Sequence, residues 1–431
     1  MLGYGQSRSF AVLEYWSTVL TKPRVVYVNH VARLSGGELA LLRLITALGD
    51  SVEPYVLLAE DGPLTSKFKS VGIPVEVLPL NETTRDLRRH EIGGLRAVRP
   101  ISAAATYSAR LARRFRQLDP QIIHANSLKS GFYGGLAGRL VGTPVLWHVR
   151  DRIANDYLPR EAVAVTHLAL ATLPSCIVSN SEATRSTLGS RLGLRRIGPA
   201  PVIYDPYRPT RDAKRPSRDV ATIGIIGRLA PWKGQDVFLR AFAQAFPDGD
   251  QQARVIGSAL FGEEVYAANL KQLCNNLGIA DRVTFVGFTQ DIEGELSDLD
   301  VLVHASIIPE PFGQVIVEGL AAGLPVIATA AGGPLEIITE GVDGLFSPPG
   351  DIKKMAGCMV ALAADPELRK KLGTAGALRA KRYRPEVIGP QMLTLYQDIL
   401  KDSHPTQKSS PSRRSDSIRS AIVQNGRSRR P

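Results

Sequence analysis

From Arg24 onward the chain alternates between two hydrophobic periods. The runs RVVYVNHV (Arg24–Val31), PYVLLAE (Pro54–Glu60), IPVEVLPL (Ile73–Leu80), PQIIHANS (Pro120–Ser127), TPVLWHV (Thr143–Val149), SCIVSNS (Ser175–Ser181) and APVIYD (Ala200–Asp205) are short, apolar and rich in β-branched residues. Stretches of helical period separate most of them, beginning with one from Glu38 to about Leu48 after the turn Leu34-Ser35-Gly36-Gly37. Such alternation predicts βαβ units and a parallel sheet. Between Pro206 and Asp219 the pattern lapses into Pro, Arg and Lys without period, as a domain linker does. It then restarts with ATIGIIG (Ala221–Gly227), ARVIGS (Ala253–Ser258), RVTFVG (Arg282–Gly287), DVLVHAS (Asp300–Ser306), PVIATA (Pro325–Ala330) and DGLFSP (Asp343–Pro348). Two doubly wound halves joined by a linker leave a cleft, and the loops at the carboxyl ends of both sets of strands can face it.

Composition changes this picture little. At 431 residues the chain has room for two cores, and 44% apolar with 22% charged residues suits a globular protein. Cys176, Cys274 and Cys358 lie far apart, which suggests neither a disulfide framework nor a metal-ligand spacing; buried thiols in a reducing compartment are expected. No charged start with an apolar run and a cleavage site marks the N-terminus. Gly313 to Pro334 carries one charge, Glu318, but its glycines and Pro325 fit buried helix–turn–strand structure better than a membrane span. A cytoplasmic location follows as the expectation, with peripheral attachment to the membrane face as its variant.

The net charge of +12 is uneven. Ser403 to Pro431 is a Ser/Pro-rich tail with seven Lys/Arg against Asp416, and Arg85 to Asp119 holds nine arginines against Asp86, Glu91 and Asp119. Within the second segment, Thr106 to Phe115 mixes arginines with Tyr107, Leu111 and Phe115. Such a helix either lies on an anionic membrane surface or packs its apolar stripe on the sheet with its arginines in water. Nucleic acid is not an expected partner, because no aromatic-studded basic motif is present.

Candidate chemistry concentrates in the second half. EPFGQVIVEG (Glu310–Gly319) follows a strand, and Phe312-Gly313 opens a predicted helix whose free N–H groups suit an anion. Glu318 lies about 12 Å further along that helix, so the two carboxylates suit opposite ends of an extended ligand rather than one bond. Two unrelated surface glutamates are the plain alternative. GRLAPWKG places Arg228 and Lys233 in the loop after the first strand of this half, where two fixed cations suit a diphosphate. AGGPLEII (Ala331–Ile338) puts Gly332 and Gly333 before Pro334 at a helix start, and Gly36-Gly37 holds the equivalent place in the first half; both are read as offering backbone N–H groups to an anion.

In order and spacing, GR…WKG, EPFG…VE, GLPVIAT, GGPLEII and DGLF resemble the retaining glycosyltransferases of family four, over roughly Arg24 to Leu400. The resemblance implies the GT-B fold, two Rossmann-like doubly wound domains facing a central cleft. The expected division is a leader 1–23, an acceptor-side domain 24–205, a linker 206–219, a donor domain 220–385, a C-terminal helix 386–402 returning toward the first domain, and a basic tail 403–431 without structure. Arg228 and Lys233 are then the residues that hold the donor diphosphate, Glu310 faces the transferred sugar, Glu318 binds the ribose, and Gly36-Gly37 lie by the phosphates and acceptor. Phe312 and Gly313 complete the donor-binding set. His148, in WHVRD, matches a family histidine that reaches the sugar, and Ser181-Glu182 match a weaker position. VIYDPY (Val202–Tyr207) departs from the Asn-Gly turn often found at the interdomain crossing.

The activity so implied is transfer of a sugar, with retention, from a nucleotide-diphosphate-sugar to a glycan, lipid-linked or small-molecule acceptor, without metal or other cofactor. A GT-B epimerase or phosphorylase, and a non-catalytic sugar-nucleotide binder or basic membrane adaptor, are the alternatives. Asp248-Gly-Asp250 and Asp298-Leu-Asp300 have the form of a metal-binding DxD pair, but neither ends a strand of the appropriate kind.

Overall fold

A computed structural model of the chain describes residues 22–80, 98–189, 200–210, 221–260 and 262–403. Residues 1–21 of the leader, much of the linker, the tail from residue 404, and the part of the basic run from residue 85 to residue 97 lie outside the described residues.

The first domain carries strands β1 (Arg24–Asn29), β2 (Glu53–Leu58), β3 (Val75–Val77), β4 (Ile122–Ala125), β5 (Val145–Val149) and β6 (Cys176–Ser179). Its helices are α1 (Gly36–Leu48), α2 (Pro63–Ser70), α3 (Val98–Leu118), α4 (Leu128–Val141), α5 (Arg160–Thr172) and the single turn α6 (Glu182–Arg185). The second domain carries β7 (Thr222–Ile226), β8 (Gln252–Ile256), β9 (Val283–Gly287), β10 (Val301–His304), β11 (Val326–Thr329) and β12 (Leu345–Ser347). Its helices are α7 (Gln235–Ala245), α8 (Glu264–Asn276), α9 (Ile292–Ser297), α10 (Gln314–Ala321), α11 (Pro334–Ile337), α12 (Ile352–Ala364) and α13 (Pro366–Ala380), with α14 (Pro385–Ser403) closing the described chain.

The strand orders are β3-β2-β1-β4-β5-β6 and β12-β11-β10-β7-β8-β9, so both sheets run the same doubly wound path. Pairing between neighbours is parallel throughout. The switch points fall between β1 and β4 and between β7 and β10. Loops diverge there at the carboxyl edge, and most candidate site residues sit in those loops or the next ones along.

The strands are apolar because helices cover both faces: every residue of β4, β5, β6, β10 and β11 is buried. In α14, Ile388, Met392, Tyr396 and Ile399 recur at helical spacing and all enter the core of the first domain. The chain therefore crosses the cleft twice.

APVIYD differs from its expected strand. It is extended but pairs only through a bridge between Ser179 and Val202, because its aromatic residues leave the sheet to make the crossing. Tyr204 stacks on Phe312 of the second domain with ring centroids 5.7 Å apart, and Tyr207 joins the second domain's core. The departure noted in VIYDPY is thus an aromatic crossing.

Candidate active site

In the second domain, β7 leads into a tight turn at Pro231–Lys233 that ends on Gly234, whose φ is 68°. A Cβ there would lie 2.1 Å from the carbonyl oxygen of Ala305, so only glycine lets this loop close on the end of β10. That closure carries Lys233 to Glu310: its Nζ donates to Oε1 at 2.9 Å and to Oε2 at 2.8 Å. Ser306 Oγ donates to the same Oε2 at 2.8 Å, and His304 Nε2 lies 3.3 Å from it. Thr329 Oγ1 holds the other ring nitrogen of His304 at 3.1 Å. Burial alone pushes the Glu310 carboxyl up, but the Lys233 charge and the hydrogen bond from His304 outweigh it and hold the group well below the ordinary glutamate range. Glu310 is a fixed anion beside a fixed cation. His304, Ser306 and Thr329 were not singled out from sequence, although two of them end the run DVLVHAS.

Arg228 reaches the same corner from another side. Its Nε lies 3.5 Å from Glu263, and its guanidinium sits 5.7 Å from the centre of the Trp232 ring. Lys233 Nζ lies 4.2 Å from that ring centre. The indole thus gathers both cations, as cation–π attraction favours.

Gly313, with φ 101°, starts α10. The ring of Phe312 is buried between Tyr204 and Tyr383 and is part of the core, which leaves only its backbone for the expected anion contact. Glu318 is buried too, and Nη1 of Arg43 from α1 meets it at 2.9 Å across the cleft. Burial raises the Glu318 carboxyl, with Arg43 opposing. Gln314 lies between the carbonyl of Gly36 and the Arg43 guanidinium, so the starts of α1 and α10 face one another. Two helix N-termini, each with free N–H groups and a positive dipole end, converge on one place. Gly36 and Gly37 form the first turn of α1 rather than a turn before it.

Behind them the first domain supplies a buried polar network. Asn29 Nδ2 donates to Glu38 at 3.2 Å, and Asn126 Nδ2 donates to the Gly37 carbonyl at 3.2 Å. Arg150 Nε donates to Asn126 at 2.9 Å, while Nη1 forms an ion pair with Asp205 that is all but sealed from water, at 6% and 5% side-chain exposure. Arg150 Nη2 lies 3.3 Å from Nδ1 of His148. His148 is fully buried; burial, then Arg150 and His124, hold its ring neutral. None of Asn29, Glu38, Asn126, Arg150 or Asp205 was selected from sequence.

Ser181 and Glu182 turn out to clamp the domains. Ser181 Oγ donates to the carbonyl of Pro311, next to Glu310, at 2.5 Å. The backbone N–H groups of Glu182 and Ala183 donate to Glu336 at 2.8 and 2.6 Å, and Tyr204 donates to it at 3.1 Å.

One expectation needs correction, at the glycine pair 332–333. Gly333 is not open to an anion, because its N–H donates to Glu310 O at 2.8 Å; Gly332 bridges Glu310, and a Cβ there would lie 2.3 Å from that oxygen. This pair lets two loops touch. Asp248 and Asp250 are exposed, and Asp300 accepts the Thr222 N–H at 2.7 Å as a structural contact. Among the described residues, no group of three His, Cys, Asp or Glu side chains is placed to hold a metal ion. In α3, Tyr107, Leu111 and Phe115 pack in the core, Arg110 donates to Pro79 O at 2.8 Å, and Arg114 pairs with Glu76 at 2.7 Å. The apolar stripe is therefore spent on the sheet. No helix among the described residues is long and apolar enough to cross a membrane.

Residues 208–379 match the family of glycosyl transferases group 1, and residues 35–202 match the glycosyl transferase 4-like domain. Together these matches take in both domains and well over half of the chain, which belongs to the group-1 glycosyl transferases with a GT-B architecture. The chain is similar to an exopolysaccharide phosphotransferase of Streptomyces coelicolor, 31% identical over 52% of this chain and 23% of that one. It is also similar to the N-acetyl-alpha-D-glucosaminyl L-malate synthase of Bacillus anthracis, 34% identical over 39% of this chain and 42% of that one. It thus spans less than half the length of either relative. Among solved structures, Anabaena HepE in complex with UDP-glucose superposes with a TM-score of 0.74 at 25% identity, over 87% of this chain and all of that one.

Proposed function

We propose that the protein is a retaining glycosyltransferase that moves a sugar from a nucleotide-diphosphate-sugar to an acceptor held by the first domain, without a metal ion. The observation that carries this is the Lys233–Glu310 pair, a fixed cation against a carboxylate held ionised at the switch point of the donor-side sheet. The diphosphate would sit at the converging starts of α1 and α10, with Gly36, Gly37 and Gly313 supplying backbone N–H groups and Arg228 and Lys233 the positive charge. As the glycosidic bond breaks, negative charge builds on the leaving diphosphate, and groups already in place stabilise it without rearranging. Glu310 would hold hydroxyls of the transferred sugar. Glu318 would take the ribose, with its hydroxyls sharing the carboxylate with Arg43.

Glu310 is poorly suited to be a nucleophile, since Lys233, Ser306 and His304 all engage its oxygens. The route this favours is departure and attack on one face of the sugar, the leaving oxygen taking the acceptor's proton and the protein acting by position and charge. A UDP-sugar is the first donor to try, because HepE was crystallised with UDP-glucose. Attraction to an anionic membrane would have to come from charge alone, since the apolar side of α3 is packed.

A thermal-shift screen against a panel of nucleotide-sugars tests the reading. A donor at 100 times its Kd should add about 2.7 kcal/mol to the folded state, and the same compound should be consumed only with acceptor present. Retention is checked by the anomeric configuration of the product in its NMR spectrum. A panel in which no nucleotide-sugar raises the melting temperature, or a product of inverted configuration, would overturn the respective part.

A further inference from the structure

The facing sides of α1 and α10 bring a group of the first domain to the far end of the donor site. In α1, Gly36 and Arg43 are spaced to share one helical face, and in α10 Gln314 and Glu318 share another. The two faces meet. Gln314, with its amide turned to satisfy both neighbours, donates to the Gly36 carbonyl at 3.1 Å and accepts from Nη1 of Arg43. The same Nη1 lies 2.9 Å from Oε1 of Glu318. A further partner comes from the segment that crosses between the domains. The Arg43 guanidinium sits 4.7 Å from the centre of the Tyr207 ring, and Tyr207 is buried and donates its N–H to the Tyr383 carbonyl at 2.8 Å. Stacked on its face and bonded at its edge, the guanidinium is held in one plane.

This arrangement leaves room for a ligand that a plain strut between domains would not need. Arg43 engages Oε1 of Glu318, whereas a carboxylate offers about four lone-pair directions. Glu318 also keeps 11% of its side chain exposed, so a small polar group can reach it. The ribose of a nucleotide carries two neighbouring hydroxyls, and both can donate to Glu318 without displacing Arg43. The cation matters for those bonds. Burial favours the protonated acid and Arg43 the carboxylate, and a protonated acid gives up an acceptor position to its own O–H.

We propose that Arg43 is a specificity-determining residue of the donor site: it reaches across from the first domain and holds Glu318 as an acceptor for the two ribose hydroxyls, so that both domains read the ribose together. The proposal rests on the reading that Glu318 takes the ribose. It adds a discrimination, ribose against a sugar that lacks the hydroxyls, and assigns that discrimination to a residue outside the donor domain. A lysine in place of Arg43 would keep the charge but lose the fork and the stacking on Tyr207.

The test is a calorimetric titration of the full chain with UDP, GDP and ADP, each beside its 2′,3′-dideoxy counterpart. For the base it accepts, the wild type should prefer the ribose form by roughly ten-fold to a hundred-fold, the scale of hydrogen bonds to a charged group. Arg43→Leu should bring the two forms close to parity by weakening the ribose form alone, and Arg43→Lys should restore part of the preference. Melting curves check the fold; if Arg43→Leu does not fold, Arg43→Gln, which donates without charge, takes its place. Equal weakening of both forms is the mark of a strut and would overturn the proposal, as would a preference of wild-type size in the Arg43 variants. Glu318→Gln tests the reading beneath it. A full preference surviving in that variant would remove Glu318 from the ribose, and the proposal with it. A wild type that binds none of these compounds would overturn the nucleotide reading itself.

Discussion

The two sheets follow the same strand path, yet their carboxyl edges are built on opposite principles. The second domain's edge is ionic and partly open: Lys233 keeps 20% of its side chain exposed beside an ionised Glu310. The first domain's edge is sealed. Its buried cation Arg150 is neutralised by Asp205 with both side chains at least nine-tenths covered, and His124 and His148 are held neutral by burial. One edge offers charge to whatever enters, and the other is a buried polar network.

The largest expected effect falls on the ionic edge. Lys233→Ala should lower transfer at least a hundred-fold in a folded protein, since losing one oxyanion-type contact costs about 2.7–4 kcal/mol of barrier. Steady-state kinetics with a melting curve decides, and near-normal turnover would remove the cation from the reaction. Next comes pH. The folded carboxyl of Glu310 is held below the ordinary value of about 4.3. Its stabilising contribution is therefore complete above that value and is lost as pH falls toward the folded one. The difference in melting temperature between wild type and Glu310→Gln should narrow steadily below about pH 4.3. A gap that widens with acid would mean that Glu310 is protonated in the fold.

A smaller effect belongs to the clamp. Glu336→Gln weakens the charge-assisted bonds from the starts of Glu182 and Ala183, and hydrogen bonds to charged groups are worth about 1.5–3 kcal/mol. KM for the donor should rise several-fold, and small-angle scattering should report a wider molecule. An unchanged radius would place the clamp outside domain closure. The smallest expected effect is none: activity should survive excess EDTA, because the proposed reaction leaves the charge of the departing diphosphate to Arg228 and Lys233. Full loss restored by magnesium or manganese would show that the ionic edge is incomplete without one.

How much of this was legible in the chain depends on how far apart the partners are. Glu310, Ser306 and His304 fall within one strand end and its loop, and the pattern EPFGQVIVEG exposes the carboxylates by local spacing alone. The sealed edge was nearly invisible for the opposite reason. Arg150 meets Asp205 55 residues on, Ala183 meets Glu336 at 153, and His124 meets Tyr396 at 272. Each of those side chains looks like an ordinary strand or helix residue until the topology brings its partner. The glycine pair at 332–333 misled because glycine answers two needs, access for an anion and close approach of backbones, and only the second applies here. For Phe312, the place in the motif does not say which way the ring points; stacking on Tyr204 settles that.

The return of α14 to the first domain also sets an order of events during synthesis. The last strand of that domain ends at Ser179, but four of its core residues arrive only with the helix that begins at Pro385, roughly 200 residues later. At the ordinary pace of translation this is a delay of roughly 10–40 s, during which the groove for Ile388, Met392, Tyr396 and Ile399 stands open. The nascent first domain must wait, its apolar groove uncovered, while the whole second domain is made. Final closure of the first core and formation of the His124–Tyr396 link then happen together, once α14 has been made.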